Sequence, residues 1–168
     1  ESELRSFLDG VKSVENVVVR RHEKNMGYVL SLNEAITETS NDVVILNSDT
    51  VVTKGWLQKI RLCAYSNVKI ATVTPFTNNA TIYSIPKFGQ SNEVPEGFDV
   101  ESFGALVERV SKQRYPAMPT AVGFCTYIKR EVIKTVGALD EVFNPGYEEE
   151  NDFCIRAYKK GYVSVLAD

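Results

Sequence analysis

Asp42-Val43-Val44-Ile45-Leu46-Asn47-Ser48-Asp49-Thr50 is the stretch whose reading decides the fold. Its apolar run, Val43 to Leu46, is continuous and bounded by polar residues, as in a strand covered on both faces of a parallel sheet. Asn47, Ser48 and Asp49 then sit where that strand ends. In open α/β sheets the carboxyl ends of strands are where ligands bind. A short acidic turn there offers oxygen ligands to a hard divalent cation. The same residues also suit a turn followed by a helix N-cap. Taken alone the stretch is read more simply that way; the rest of the chain tips the balance toward a site.

Outward from this strand, helices and strands alternate. Upstream, Leu4, Phe7, Leu8 and Val11 recur at helical spacing, and Val17-Val18-Val19 is a short β-branched strand. Met26 to Thr39 is helical, with Val29, Leu32 and Ile36 on one face and Asn25 as a cap. Asn33 is a poor residue inside a helix, so it is either exposed or makes a polar contact near the site. Downstream, Trp56 to Ala64 is a helix and Val68 to Pro75 a second apolar strand. Thr77 to Gly97, broken by Pro86, Gly89 and Pro95, is a long irregular segment, either a substrate-facing loop or a surface excursion.

Val100 to Gln113 is helical again. Thr120 to Ile128 is a strand in which Gly123 leaves room for close backbone approach. Arg130 to Val136 is a helix ended by Gly137, Glu148 to Lys160 a helix ended by Gly161, and Tyr162 to Leu166 a last strand. The strands at Val17, Val43, Ala71 and Val122 are expected in one mostly parallel sheet with helices packed on it.

Composition narrows the function. The 168 residues fit a single domain, residues 1–168, and 43% hydrophobic content supports a core. A net charge of −3 gives no basic footprint for nucleic acid. Cys63, Cys125 and Cys154 lack metal or disulfide spacing and read as small core residues of a reducing compartment. No apolar run is long enough to span a bilayer. The single histidine, His22, lies between charged residues, so a serine or cysteine triad has no evident base.

Glu148-Glu149-Glu150-Asn151-Asp152 is the second dense site. Carboxylates at a helix N-terminus are favoured by its dipole, and Asp152 and Arg156 are spaced to pair. Phe153 and Ala157 mark the buried face, which puts the cluster at the edge between core and solvent. That placement can raise a carboxylate's pKa and suit it for base work. A charged first turn with no further role is the simpler reading of the cluster alone.

The two clusters with their flanks resemble a known family. Asn25-x-Gly27, Asn33, Leu46-Asn47-Ser48-Asp49-Thr50 and Gly55-Trp56-Leu57 are similar to the first half of a family 2 glycosyltransferase. Gly123-Phe124-Cys125, Arg130-Glu131, Val136-Gly137, Leu139-Asp140-Glu141 and the run Gly146 to Arg156 are similar to its second half. Each motif is weak alone; the ordered set, from Glu23 to Leu166, is specific. The subgroup it resembles is that of bacterial, rhamnosyltransferase-like enzymes of cell-surface polysaccharide synthesis.

The resemblance implies an α/β GT-A fold, a nucleotide-diphosphate sugar donor, a carbohydrate or lipid-linked acceptor, and inverting transfer assisted by Mg²⁺ or Mn²⁺. It implies donor contacts from Asn25, Gly27, Asn33, Asn47, Ser48 and Asp49, with Asp49 the charged metal ligand. Asn47 replaces the first aspartate of the family's Asp-x-Asp motif. Glu150, with Glu149 beside it, matches the acidic pair that includes the base. The family's opening nucleotide-binding strand is not found, so the fold is expected to be N-terminally incomplete and the chain a fragment. The setting implied is cytoplasmic, at the inner face of the membrane. Two other classes share features with the chain. A nucleotidyltransferase-like enzyme would need a glycine-rich, basic phosphate loop that is not seen. A noncatalytic carbohydrate- or partner-binding module on the same scaffold would not need both acidic clusters.

Overall fold

The computed structural model describes residues 2–168. In chain order the elements are α1 (Ser2–Val11), α2 (Tyr28–Thr37), β1 (Val43–Leu46), α3 (Trp56–Tyr65), β2 (Ile70–Pro75), α4 (Val100–Val110), β3 (Ala117–Met118), β4 (Cys125–Ile128), α5 (Arg130–Val136), a 3-10 turn (Glu141–Phe143), α6 (Glu149–Lys159) and β5 (Val163–Ala167). One sheet holds the five strands in the order β1-β4-β2-β5-β3.

Helices cover both faces of this sheet. Val29 and Ile36 of α2, Val132 and Ile133 of α5, and Phe153 and Ala157 of α6 pack with Ala71 and Ile128 on one side. Ile60, Cys63 and Ala64 of α3 pack with Ile70, Val73, Cys125 and Val165 on the other. Strand β2 therefore buries nearly every residue, which accounts for its unbroken apolar pattern. The three cysteines are buried free thiols, and burial pushes those of Cys63 and Cys125 up to about 12.

The α/β class with a helix-flanked sheet is as expected, but the pairing is not mostly parallel. Strands β1 and β2 are both antiparallel to β4, β2 and β5 are parallel, and β3 is antiparallel to β5. Strands β1, β2 and β5 thus point one way, with β4 inserted against them. Alternation along the chain reveals that strands are separated, not which way each runs. Residues 119–124 cross the end of β2, where the Val122 amide donates to Thr74 Oγ1 at 3.4 Å. From there β4 can only run back down the sheet. Val122 accordingly lies in that crossing segment rather than in a strand.

Val17-Val18-Val19 forms no strand either. Val18 is 71% exposed, and no strand among the described residues pairs with the segment. A β-branched run becomes a strand only where a neighbour takes its N–H and C=O groups. Residues 77–97 fold into a self-tied loop. The Asn92 amide donates to the carbonyls of Asn78, Lys87 and Gln90, and the fully buried Tyr83 donates from its hydroxyl to Thr120 O.

Topology fixes one end of the sheet as the place where the two acidic clusters meet. The Asn47–Thr50 turn follows β1, and Gly123 and Phe124 precede the antiparallel β4. Helix α6 leads into β5 and packs on it and on β2. A helix feeding a strand it packs against runs opposite to it, so its N-terminus lies near the strand's carboxyl end.

Candidate active site

The turn after β1 is held by the crossing segment. The Asn47 amide donates to Phe124 O at 2.9 Å, and Thr50 Oγ1 lies 3.4 Å from the same oxygen. Asn47, Ser48 and Asp49 are exposed, so their side-chain oxygens face solvent at the strand end.

One residue earlier, Gly123 abuts the acidic helix. A Cβ built there would lie 3.6 Å from the Tyr28 hydroxyl and 3.8 Å from Glu150 Oε1. The absent side chain thus leaves an open cradle between a phenol and a carboxylate. Glu149 and Glu150 are the first two residues of α6. The chain reaches them through Tyr147 and Glu148, both in left-handed backbone conformation, φ 78° and 73°. That conformation costs on the order of 1–3 kcal/mol at each non-glycine position and persists only where the surroundings enforce it.

The enforcement comes from residues 25–28. Asn25 Oδ1 accepts from the Gly27 amide at 2.8 Å, a local turn rather than a cap on α2. Asn144 Nδ2 donates to Met26 O at 3.0 Å, and the Tyr28 amide donates to Pro145 O at 2.7 Å. Gly27, at φ 86°, is obligatory here: a Cβ would lie 2.2 Å from Asn144 Oδ1. The Asn25-x-Gly27 motif therefore docks the start of α2 against the chain entering α6 and brings Tyr28 beside the acidic pair.

Asn33 performs a second docking. Its Nδ2 donates to Leu139 O at 2.8 Å and its Oδ1 accepts from the Leu139 amide at 3.0 Å. Both amide atoms are engaged with backbone, so its place is a bridge between α2 and the loop before the 3-10 turn. Asp152 and Arg156 pair at 2.6 Å as expected, and the guanidinium also donates to Val136 O and Ala138 O, locking α6 to the end of α5.

The acidic pair is electrostatically uneven. Glu149 is 6% exposed, and the Oε2 atoms of both Glu149 and Glu150 are buried without a hydrogen-bond partner among the described residues. Burial holds the Glu150 carboxyl above its ordinary range. The Glu149 and Glu148 charges add to this, while the backbone amides of Glu150 and Gly123 oppose it. Tyr28 is raised too, first by burial and then by the two carboxylates. Tyr28 was not singled out in the sequence; its signal was the i, i+4 relation to Leu32, since both line the same small cavity as the acidic pair.

For a cation, the exposed Asp49 supplies a single carboxylate. No group of three or more His, Cys, Asp or Glu is placed to hold an ion among the described residues. That sparse set suits Mg²⁺, which is commonly held by one or two carboxylates with substrate phosphates and waters completing its shell. A larger cavity, about 290 Å³, opens from Thr50 beneath α4 and is lined in part by Trp56, Phe76, Tyr115 and Phe124.

The mixed five-stranded sheet flanked by helices on both faces matches the GT-A glycosyltransferase fold. The fold is similar to that in the crystal structure of GalNAc-T7 with UDP, GalNAc and Mn²⁺, at TM-score 0.71 and 14% identity, over 99% of this chain and 34% of that one. The chain thus spans about a third of that protein's length. The family model of glycosyl transferase family 2 matches residues 2–137, and the chain belongs to that family. The acidic cluster at the start of α6 lies beyond the matched residues. No curated protein sequence matches the chain.

Proposed function

We propose that the chain forms the catalytic centre of an inverting transferase that moves a sugar from a nucleotide-diphosphate donor to a hydroxyl acceptor. The observation that carries this reading is the meeting, across Gly123 and Phe124, of the Asp49 turn with the buried-edge carboxylate of Glu150. Asp49 with the oxygens of Asn47 and Ser48 faces the donor diphosphate. Glu150 faces the acceptor, and the cavity beneath α4 gives a carbohydrate room beside aromatic side chains.

Glu150 takes the proton of the acceptor hydroxyl as that oxygen forms its bond to the anomeric carbon. The bond to the diphosphate breaks on the opposite face, and its electron pair leaves with the diphosphate. A carboxylate made more basic by burial suits this task near neutral pH. A Mg²⁺ or Mn²⁺ ion held at Asp49 would supply positive charge toward the departing diphosphate. The biological setting follows the resemblance: bacterial cell-surface polysaccharide synthesis at the cytoplasmic face of the membrane, with a rhamnosyltransferase-like donor and acceptor. Among the described residues no helix is long and apolar enough to cross a membrane.

The test is calorimetric binding of UDP with and without Mn²⁺ to the full-length enzyme, then turnover with a panel of UDP- and dTDP-sugars. Metal-dependent binding that vanishes in Asp49→Ala, together with turnover, is expected. Unchanged UDP–Mn²⁺ binding in that variant removes Asp49 from the site. Binding without any turnover returns the chain to the noncatalytic module.

A further inference from the structure

The cavity of about 290 Å³ that runs from Thr50 beneath α4 is walled by Trp56, Phe76, Val107 and Phe124 among others. Most polar side chains at its wall are engaged within the protein. Thr50 Oγ1 donates to Phe124 O at 3.4 Å, Thr77 Oγ1 accepts from the Asn79 amide at 3.3 Å, and Asn78 Nδ2 donates to Asn92 O at 2.9 Å. Asp168 Oδ1 accepts from the Tyr115 amide at 2.8 Å, and Lys59 Nζ pairs with Glu108 Oε2 at 2.7 Å. A sugar ring at the mouth can rest on the aromatic edge. Hydroxyls further in would exchange water for few partners, which is costly. An apolar cavity of about 150 Å³ already takes up benzene, so this one has room for a chain of several carbons.

The roof of the cavity lacks an apolar partner too. Val100, Gly104 and Val107 of α4 recur at spacings of four and three and line the cavity, so one face of the helix looks into it. No residue of α4 is buried. Exposed polar bonds help to hold the helix: the Lys54 amide donates to Glu101, and Lys59 to Glu108. The mouth adjoins the reacting centre, because Thr50 follows Asp49 and Phe124 follows Gly123, which abuts Glu150.

We infer that this cavity binds an apolar, alkyl-type aglycone carried by the acceptor sugar. The sugar lies at the mouth with its hydroxyl toward Glu150, and the chain runs inward under α4. Filling the cavity buries the inner face of α4 and gives that helix the apolar partner it lacks. Assigning the chain to an acceptor rests on the transferase reading above; the affinity of the cavity for an alkyl chain does not.

The test is binding of methyl, butyl, hexyl and octyl β-D-glucoside to the full-length enzyme, each below its micelle concentration. Isothermal titration reads the affinity. The emission of Trp56, the chain's single tryptophan, assigned with Trp56→Phe, reads the place. The head group is constant, so differences report the chain alone. Each methylene that enters the cavity should tighten binding by up to about fourfold. Val107 is half-buried at the cavity wall. Val107→Phe, whose ring enters open space, and Val107→Asp, which puts a charge there, should both flatten the series while UDP–Mn²⁺ binding is unchanged. Affinity that does not grow with chain length, or growth that both variants leave intact, overturns the inference. A crystal structure of the full-length enzyme with the cavity filled by its own chain overturns it as well. If the series holds and no donor is turned over, the transferase reading falls and the alkyl site stands. If methyl and octyl glucoside accept sugar with the same KM, the inference falls and the transferase reading stands.

Discussion

The backbone amide of Asn47 donates to the carbonyl oxygen of Phe124 at 2.9 Å, and this one bond sets the acidic turn of β1 beside the segment that touches Glu150. Residues 77 positions apart in sequence are joined because β4 enters the sheet from the carboxyl ends of β1 and β2. An antiparallel insertion, rather than another parallel crossover, is what places Gly123 and Phe124 between the two clusters.

Asn33 offers a prediction that separates architecture from ligand binding. Removing its amide leaves the N–H and C=O of Leu139 unpaired. Asn33→Ala should therefore destabilise the fold by about 1–3 kcal/mol, read as the free energy of unfolding in urea. UDP–Mn²⁺ affinity of the folded fraction should be unchanged. Lost affinity with intact stability would restore the donor contact.

Asp42, just before β1, is a structural carboxylate whose pH signature is opposite to that of Glu150. Burial works against its charge, but donors from Tyr127, the Arg130 amide and Tyr65 outweigh it and hold the carboxyl below its ordinary range. A group with a depressed folded pKa contributes stability above the unfolded value and loses it as pH falls through the folded one. Asp42→Ala should cost about 1–3 kcal/mol at neutral pH, with the gap to wild type closing below the ordinary carboxylate range. Melting curves across pH read this; a gap that stays constant into acid contradicts it.

Glu150 should behave in reverse. Its folded pKa is raised, chiefly by burial, so the folded chain binds that proton more tightly. Its contribution is therefore greatest below the unfolded carboxyl range and is lost as pH rises through the folded value. Glu150→Gln should melt above wild type near neutral and alkaline pH, with the advantage vanishing in acid. A variant that melts lower at alkaline pH than wild type would show that the fold welcomes the charge.

Much of this architecture was legible along the chain, because local signals agreed with packing. Gly137 closes α5 at Val136, and the unbroken run Ile70 to Pro75 becomes a strand buried on both faces. What was hidden depends on partners distant in sequence. The task of Asn33 is set by Leu139, 106 residues away. Gly27 is glycine because of Asn144. The direction of β4 is set by where residues 119–124 cross, and Val17 to Val19 carry β-branched side chains with no strand among the described residues to pair with. The two acidic clusters could be named from residue type and order. That Glu149 turns inward while Glu150 sits at the edge required the left-handed turn at Tyr147 and Glu148.

The central claim is that Glu150 takes the acceptor's proton while Asp49 serves the donor. The most direct measurement is steady-state transfer by the full-length enzyme and its Glu150→Gln variant, with UDP–Mn²⁺ affinity measured in parallel. Loss of a general base typically lowers rate by about a hundred- to ten-thousand-fold. The account predicts a kcat fall of that size with donor affinity nearly intact. Normal turnover in Glu150→Gln, with or without a loss in Glu149→Gln, would contradict it.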